Sequence, residues 1–313
     1  MGEPAPLFSL PEAPVPEGGA AEWVTGVGGV RLRAALFPAK DAKGSVVLSP
    51  GRTETIEKYY EVVDELRARG LTVLVHDWRG QGLSQRLARD PVRGHARGWR
   101  PFAQDYSRVV DAFADRLPKP WIAFGHSMGG ALTLLALLSG ESRFAAALAT
   151  SPMLGLQLGK RKLSTSLMLA RVMNLLGFTE GYLRAPPAGR PAFEGNILTH
   201  DRRRWDRTEA LLAAYPQLAL GEVTWGWIEF ALSASVFLAT SPAVERLDLP
   251  VVLVTSGEET LVDNAATRAF AARLKHGRLV EIAGSRHEIL METDPVRALF
   301  WAEFDRLAGT VTP

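Results

Sequence analysis

The sequence contains no cysteine. Disulfide bonds, thiolate zinc sites, iron–sulfur clusters and a cysteine nucleophile are therefore excluded together. Composition is otherwise that of a globular protein, with 47% hydrophobic and 22% charged residues in a chain of 313. A chain of this length and composition can form one large core, or a core with a subdomain.

Long apolar runs and a strong net charge are also lacking. The two most apolar stretches, residues 129–150 and 225–240, contain charged residues and fall short of the ~20 clean apolar residues of a membrane span. The proline-broken N-terminal segment does not look like a secretory signal. A net charge of +2 gives no overall field for nucleic acid. We therefore expect a cytoplasmic protein with no nucleic-acid partner.

Strand and helix patterns alternate along most of the chain. Residues 23–39 show the alternating pattern of a β-hairpin around a Gly-Gly pair. Short apolar segments typical of strands, such as "GSVVLSP" and "PWIAFGH", then alternate with segments typical of amphipathic helices. The alternation stops at Pro152 and resumes at Leu249. This pattern predicts an α/β fold, a mostly parallel sheet flanked by helices. We divide it into an N-terminal core part, residues 1–152, an inserted helical cap, 153–243, broken by "APPAGRP", and a C-terminal core part, 244–313.

The segment "GHSMGG", residues 125–130, joins a predicted strand to a predicted helix. A serine on such a sharp turn projects its hydroxyl away from the sheet, and glycines flank it because Cβ atoms would collide there. Helix N-termini also direct backbone N–H groups at a developing oxyanion. Ser127 is therefore the predicted nucleophile. The N–H of Met128 is one predicted oxyanion donor, and that of Arg52, in the loop after an earlier strand, is the second; the Arg52 side chain could equally be a surface charge.

A serine nucleophile needs a base and an acid that orients the base. Of six histidines, His287 alone follows the carboxyl end of a late strand, which makes it the predicted base. For the acid, the loop "EETLVDN" leaves Glu258, Glu259 and Asp263 open on the residues alone. Asp263 directly precedes a predicted helix, where an acid commonly caps the N-terminus.

Four segments resemble the α/β-hydrolases, and within them the group of monoglyceride lipases and lysophospholipase L2-like enzymes. They are "PGRTETIEKYYEVVDELRARG", "DWRGQGLS", "GHSMGG", and the pair "EETLVDN" and "GSRHEIL". Aligning the last pair places the acid at Glu259. One departure is that Pro50-Gly51 stands where the family usually has His-Gly. We interpret Asp77 and Arg79 of "DWRGQGLS" as scaffold residues.

The resemblance implies hydrolysis of a monoacyl lipid ester, a lysophospholipid or a monoacylglycerol, through an acyl-enzyme on Ser127. It also implies a helical cap over the site and no cofactor; we expect no metal either. An esterase, thioesterase or peptidase of a small non-lipid substrate is the alternative within the same fold. A binding protein that keeps the fold without activity is a further alternative, although all three kinds of triad group are present.

The predicted cap carries ten basic and seven acidic side chains. One interpretation is peripheral contact with anionic lipid headgroups at a membrane. The other, which the residues alone favour, is a solvated face on which several arginines pair with the acids. Two apolar pieces of the cap, residues 163–178 and 225–239, either line an acyl pocket or form the cap's own core, and spacing does not separate these alternatives.

Overall fold

The computed structural model describes residues 2–185 and 192–312. Within them, nine strands form one sheet in the order β1-β2-β3-β5-β4-β6-β7-β8-β9. The strands are β1 (Pro4–Ala5), β2 (Ala20–Thr25), β3 (Arg31–Phe37), β4 (Gly44–Ser49), β5 (Leu71–His76), β6 (Trp121–His126), β7 (Ala146–Thr150), β8 (Val251–Ser256) and β9 (Gly277–Ile282). Strands β1, β2, β3 and β5 pair antiparallel in turn, and the remaining pairs are parallel.

Helices cover both faces of the sheet. They are α1 (Tyr60–Ala68), α2 (Arg100–Phe113), α3 (Met128–Leu138), α4 (Leu163–Leu175), α5 (Arg202–Ala214), α6 (Trp225–Thr240), α7 (Asn264–Ala271) and α8 (Asp294–Ala308). Because side chains alternate along a strand, Val47 of β4 packs into a core with α2, α3 and α6, whereas Val46 and Leu48 pack into a second core with α1 and α8. Burial on both faces explains the nearly continuous apolar strands.

The predicted hairpin and parallel strands are observed. The two-residue strand β1 was not predicted, because a Pro-Ala pair carries no strand pattern. The proposed breaker "APPAGRP" lies outside the described residues except for Ala185. In the described part of the chain, no helix combines the length and apolar character needed to cross a membrane.

Helices α4, α5 and α6 lie between β7 and β8 in the chain, within the inserted segment. Helix α6 also contributes to the main core: the Phe230 ring lies 4.8 Å from that of Phe102 in α2. Helix α5 is fixed to the core by Arg204, whose buried guanidinium pairs with Glu61 of α1 at 2.6 Å and with Asp294 of α8 at 2.6 Å. The division at residues 152 and 243 stays a prediction.

The carboxyl ends of β4, β6, β7, β8 and β9 meet at one edge of the sheet. The register pairs Ser49 with Gly125, His126 with Thr150, and Ser256 with Ile282. Ligand sites of open parallel sheets lie at this edge. The loops that carry the predicted site residues therefore converge there.

Candidate active site

Ser127 occupies the sharp turn between β6 and α3. Its φ is 52° and its ψ is −119°, a conformation that non-glycine residues rarely adopt. The neighbouring chain leaves no room for side chains: a Cβ on Gly129 would lie 2.2 Å from the Ser49 carbonyl oxygen, and one on Gly125 would lie 2.7 Å from the Gly129 backbone. The two glycines are thus required by close backbone approach, as the sequence predicts.

The structure brings the three predicted triad residues into one chain of hydrogen bonds. The Nε2 atom of His287 lies 2.9 Å from Oγ of Ser127, and its Nδ1 atom lies 2.7 Å from Oε2 of Glu259. The His287 side chain is 6% exposed and that of Glu259 is 2% exposed. In this shielded arrangement the imidazole can accept a proton from the serine while the carboxylate stabilises the imidazolium that forms.

Glu259 is held by several donors besides His287. Its Oε2 atom accepts from Oγ of Ser256 at 2.9 Å, and its Oε1 atom accepts from the N–H groups of Leu261 and Val262 at 2.8 and 3.2 Å. Burial by itself raises the pKa of this carboxyl, but the hydrogen bond and charge of His287 and the further donors outweigh it and lower the pKa to about 2. Glu259 is therefore ionised at neutral pH.

The other two acid candidates lie elsewhere. Glu258 is 49% exposed, and its carboxylate lies 3.2 Å from Nε2 of His200. Asp263 caps α7 by accepting from the Ala265 N–H at 2.8 Å, the capping role its position suggested.

The two predicted oxyanion donors border the same cavity as Ser127. Met128 is the first residue of α3, where N–H groups have no partner within the helix. The Arg52 N–H has no hydrogen-bond partner in residues 2–185 and 192–312. Both residues thus border the cavity beside Ser127 with an N–H group that has no partner in the described chain.

The side chain of Arg52 is not a surface charge. Its Nη2 atom donates to the Gly221 carbonyl oxygen, and its guanidinium lies 5.5 Å from the centre of the Trp227 ring. Burial lowers its pKa to about 10, against the opposing charge of Glu222, so the group stays protonated at pH 7. Arg52 thereby joins the loop after β4 to the segment between α5 and α6.

A cavity of about 320 Å³ adjoins Ser127. Its wall is largely apolar and combines core residues with residues of the inserted segment: Met128, Met153, Leu156, Leu198, Val223, Trp227, Leu261 and Val262. The size lies at the lower end of the range for small-molecule sites. Of the two apolar cap pieces, α6 contributes both Trp227 to the cavity and Phe230 to the core, whereas α4 buries only Leu167 and Ala170.

A buried charged cluster beside the cavity was missed by the sequence analysis. Nζ of Lys58 lies 2.8 Å from Glu54 and 2.6 Å from Glu288, and the Tyr59 hydroxyl donates to Glu54 at 2.5 Å. Lys58 lies four residues after Glu54, a spacing that suggests a helical ion pair, but nothing in the sequence indicates the pairing with Glu288, 230 positions away. His126, next to Ser127, is buried, its Nδ1 atom forms a hydrogen bond with the Thr150 hydroxyl at 3.1 Å, and burial lowers its pKa to about 4.

The contacts of Asp77 and Arg79, in the segment "DWRGQGLS", agree with the interpretation that these residues stabilise the fold. Asp77 accepts from Nε of Arg33 at 2.8 Å and from the N–H groups of Ile56 and Leu83 at 3.1 and 2.9 Å. Arg79 pairs with Asp105 at 2.5 Å. Neither residue borders the cavity.

A parallel sheet with a serine on the turn after a central strand, and with a histidine and an acid on later loops, defines the α/β-hydrolase class. Comparison with known proteins agrees with this class. The model of the Hydrolase_4 family, described as serine aminopeptidase, S33, matches residues 40–294. The chain is 30% identical over 290 residues to Lysophospholipase L2 of Escherichia coli K12, covering 88% of this chain and 83% of that protein. It is 27% identical over 280 residues to the Probable lysophospholipase L2 of Haemophilus influenzae, covering 88% of each.

Solved structures show the same fold. A soluble variant of monoglyceride lipase from Saccharomyces cerevisiae superposes with a TM-score of 0.74 at 18% identity, covering 99% of this chain and 100% of that one. The Paleococcus ferrophilus monoacylglycerol lipase gives a TM-score of 0.68 at 20% identity, covering 89% and 98%. The predicted fold class and the resemblance are thereby confirmed. The chain belongs to the Hydrolase_4 family of α/β-hydrolases, and it is a serine hydrolase.

Proposed function

We propose that the protein hydrolyses the ester of a monoacyl lipid, a lysophospholipid or a monoacylglycerol. The hydrogen-bonded chain from Ser127 through His287 to Glu259 is the observation that carries the proposal. The apolar wall of the adjoining cavity supports an acyl substrate. The names of the relatives, Lysophospholipase L2 and Monoglyceride lipase, support a lipid with one acyl chain.

In the proposed mechanism, Oγ of Ser127 attacks the acyl carbonyl carbon and its proton passes to Nε2 of His287. The carbonyl oxygen becomes an oxyanion, stabilised by the N–H groups of Met128 and Arg52. The ester C–O bond then breaks, and His287 protonates the leaving alcohol. Water attacks the acyl-enzyme in the same way, and the fatty acid leaves. Glu259 keeps His287 oriented and stabilises its protonated form throughout.

The alternative is a serine esterase, thioesterase or peptidase of a small substrate, which the printed family description, serine aminopeptidase, brings into consideration. Hydrolysis of p-nitrophenyl esters from C2 to C16, of 1-acyl lysophospholipids and monoacylglycerols, and of aminoacyl p-nitroanilides separates the two. We expect activity that rises at medium or long acyl chains, extends to monoacyl lipids, and is lost in Ser127→Ala. A preference for C2 esters or for p-nitroanilides would contradict the lipid assignment.

We also propose that the inserted segment, residues 153–243, is a cap that meets a lipid surface through α4. Large apolar side chains cluster on this helix and the turn after it, with exposed fractions from 41% to 86%: Met168, Leu169, Val172, Leu175, Leu176 and Phe178. Lys160, Arg161 and Lys162 precede the helix, are exposed, and form no ion pair in the described part of the chain. An apolar face bordered by cations fits an anionic bilayer.

The basic residues of α5 follow the other interpretation, a solvated face on which arginines pair with acids. Arg202 pairs with Asp206 at 2.9 Å, and Arg207 pairs with Glu61 at 2.7 Å, so α5 contributes little free positive charge. Arg190 lies outside the described residues. The α4 surface is therefore the part of the cap that supports membrane contact, and the cytoplasmic location stays a prediction.

Vesicle sedimentation tests this surface. We expect wild-type protein to sediment with phosphatidylglycerol vesicles more than with phosphatidylcholine vesicles, and Leu175→Ser/Leu176→Ser to lose most of this binding. Leu299→Ser is the matched control, because Leu299 is 56% exposed but lies on α8. Equal binding by the double variant and the wild type would show that α4 is not the docking surface.

A further inference from the structure

In the loop after β4, side chains form hydrogen bonds with most backbone polar groups between the Pro50 carbonyl oxygen and the Thr53 N–H. Nε1 of Trp78 donates to the Pro50 carbonyl oxygen at 2.8 Å. The Gly51 N–H donates to Glu54, and the Gly51 carbonyl oxygen accepts from Nε2 of Gln81 at 2.9 Å.

The next peptide is fixed as well. The Arg52 carbonyl oxygen accepts from the Thr53 hydroxyl at 2.5 Å, and the Thr53 N–H donates to Oε1 of Gln81 at 3.2 Å. Among the described backbone groups from the Pro50 carbonyl oxygen to the Thr53 N–H, the Arg52 N–H is the one without a partner. The Gln81 side chain therefore forms one hydrogen bond with each of the two peptides that flank the Arg52 α-carbon.

The bond from Gln81 to the Gly51 carbonyl oxygen fixes the direction of the Arg52 N–H. Both groups belong to the same peptide, which is trans, because the cis bond found in the described chain is Lys119–Pro120. In a planar trans peptide, the C=O and the N–H point in opposite directions. With its oxygen held by Gln81, this peptide presents the Arg52 N–H on the side away from Gln81.

The loop contains a backbone conformation that is unfavourable without hydrogen bonds from its neighbours. Thr53 has a φ of 65°, in the left-handed region that β-branched residues avoid. Gln81 is 4% exposed, its own N–H donates to the Trp78 carbonyl oxygen at 3.0 Å, and it is not among the residues that border the cavity. It is thus a rigid support that does not contact the cavity.

We propose that Gln81 is a positioning residue of the oxyanion hole: it holds the Gly51–Arg52 peptide in the orientation that presents the Arg52 N–H to the substrate carbonyl oxygen. The inference rests on the proposed function, in which Arg52 supplies an oxyanion donor. Released from Gln81, the peptide can rotate, and the oxyanion then loses one of its two backbone donors. The ground-state ester, whose acyl chain lies in the cavity, loses nothing.

Gln81→Met tests the proposal, because methionine has a similar length and no amide group. We expect kcat on a p-nitrophenyl ester to fall about 10- to 100-fold, below the effect of deleting a whole oxyanion donor, with little change in KM. Affinity for a trifluoromethyl ketone of the same acyl chain, which forms a tetrahedral adduct with the serine, should fall by a similar factor. Gln85→Met, in the same loop but exposed, should leave both values unchanged.

Either of two results would overturn the proposal: Gln81→Met with wild-type kcat and ketone affinity, or a loss that appears in KM alone. If Gln81→Met does not fold, as judged by its Tm, Gln81→Glu replaces it. The glutamate can still accept from the Thr53 N–H but sets a carboxylate oxygen against the Gly51 carbonyl, so the same losses in kcat and ketone affinity are expected. A failure of the proposed function is a separate result, seen as activity that persists in Ser127→Ala.

Discussion

Glu258 and Glu259 are adjacent in the sequence, yet only the Glu259 carboxylate reaches the histidine. Oε2 of Glu259 lies 2.7 Å from Nδ1 of His287, whereas the half-exposed Glu258 carboxylate lies 3.2 Å from Nε2 of His200. The two glutamates are chemically identical, so they form a matched pair for testing the triad.

Glu259→Gln is expected to lower kcat/KM on the order of 10³-fold or more, because the amide no longer stabilises the imidazolium of His287. Glu258→Gln is the control and should change kcat/KM less than threefold. Steady-state kinetics on one ester suffice for both variants. If Glu258→Gln were the more damaging change, the assignment of the acid would be wrong.

Ser127→Ala and His287→Ala should each lower kcat on the order of 10⁶-fold, and the double variant should be no worse than either single variant, because the triad acts as a unit. His276→Ala is the control, since His276 is exposed and pairs with Asp248 at the opposite end of β9. Labelling by a fluorophosphonate should vanish in Ser127→Ala. Multiplying losses in the double variant would contradict the proposed coupling.

Asp77→Ala should destabilise the fold by about 3–5 kcal/mol, because it removes one partner of a fully buried arginine, Arg33, and leaves the Ile56 and Leu83 N–H groups unpaired. Urea denaturation measures the change. Asp305→Ala removes an exposed ion pair with Arg69 and should cost about 1 kcal/mol or less. Similar losses in the two variants would mean that Asp77 is not a scaffold residue.

Glu61 should make stability depend on acid pH. Burial raises its pKa, but hydrogen bonds and charges from Arg204, Arg297 and Arg207 outweigh this and lower the pKa from an ordinary 4.5 to about 2. A carboxyl whose pKa is lower in the folded state stabilises the fold above its unfolded pKa, and the contribution disappears as pH falls through the folded value.

The free energy of unfolding of Glu61→Gln should therefore lie about 1–2 kcal/mol below that of the wild type at pH 7, because solvent screens part of the interaction of this partly exposed carboxylate. The gap should narrow from about pH 4.5 toward pH 2. Urea denaturation between pH 3 and pH 7 measures it. Glu281→Gln, which removes an exposed partner of Arg268, is the control and should show almost no gap. A gap that stays constant with pH would contradict the role of the carboxylate charge.

The sequence predicts the core well because periodicity and burial coincide there. Strands β4, β6 and β8 are buried along their whole length and read as apolar runs, and "GHSMGG" carries its backbone constraint in its glycines. What the sequence does not contain is pairing across long separations. The Lys58–Glu288 contact spans 230 positions. Gln81 forms a hydrogen bond with the Gly51 carbonyl oxygen, but a glutamine amide can pair with almost any polar group, so its partner cannot be predicted from the sequence.

The outward face of α4 also could not be predicted. Its apolar residues suggested an acyl pocket or a cap core, but the helix packs on α6 along a narrow strip around Leu167 and Ala170. Met168 and Leu175 lie on the opposite side of the helix from this strip and are 62% and 86% exposed. An apolar sequence shows which side chains favour an apolar environment. It does not show whether the protein core or another apolar surface provides that environment, because this depends on tertiary packing.

The three residues of the proposed triad lie at positions 127, 259 and 287, on both sides of the inserted segment. During synthesis, the strand–turn–helix that carries Ser127 leaves the ribosome long before His287 is translated. Until then, the growing chain has Ser127 but no base to accept its proton. The Ser127 hydroxyl becomes reactive only after β8 has paired with β7, and β9 with β8, at the edge of the sheet. Hydrolysis of an ester by the growing chain would thus report that β8 and β9 have joined the sheet and brought Glu259 and His287 to Ser127.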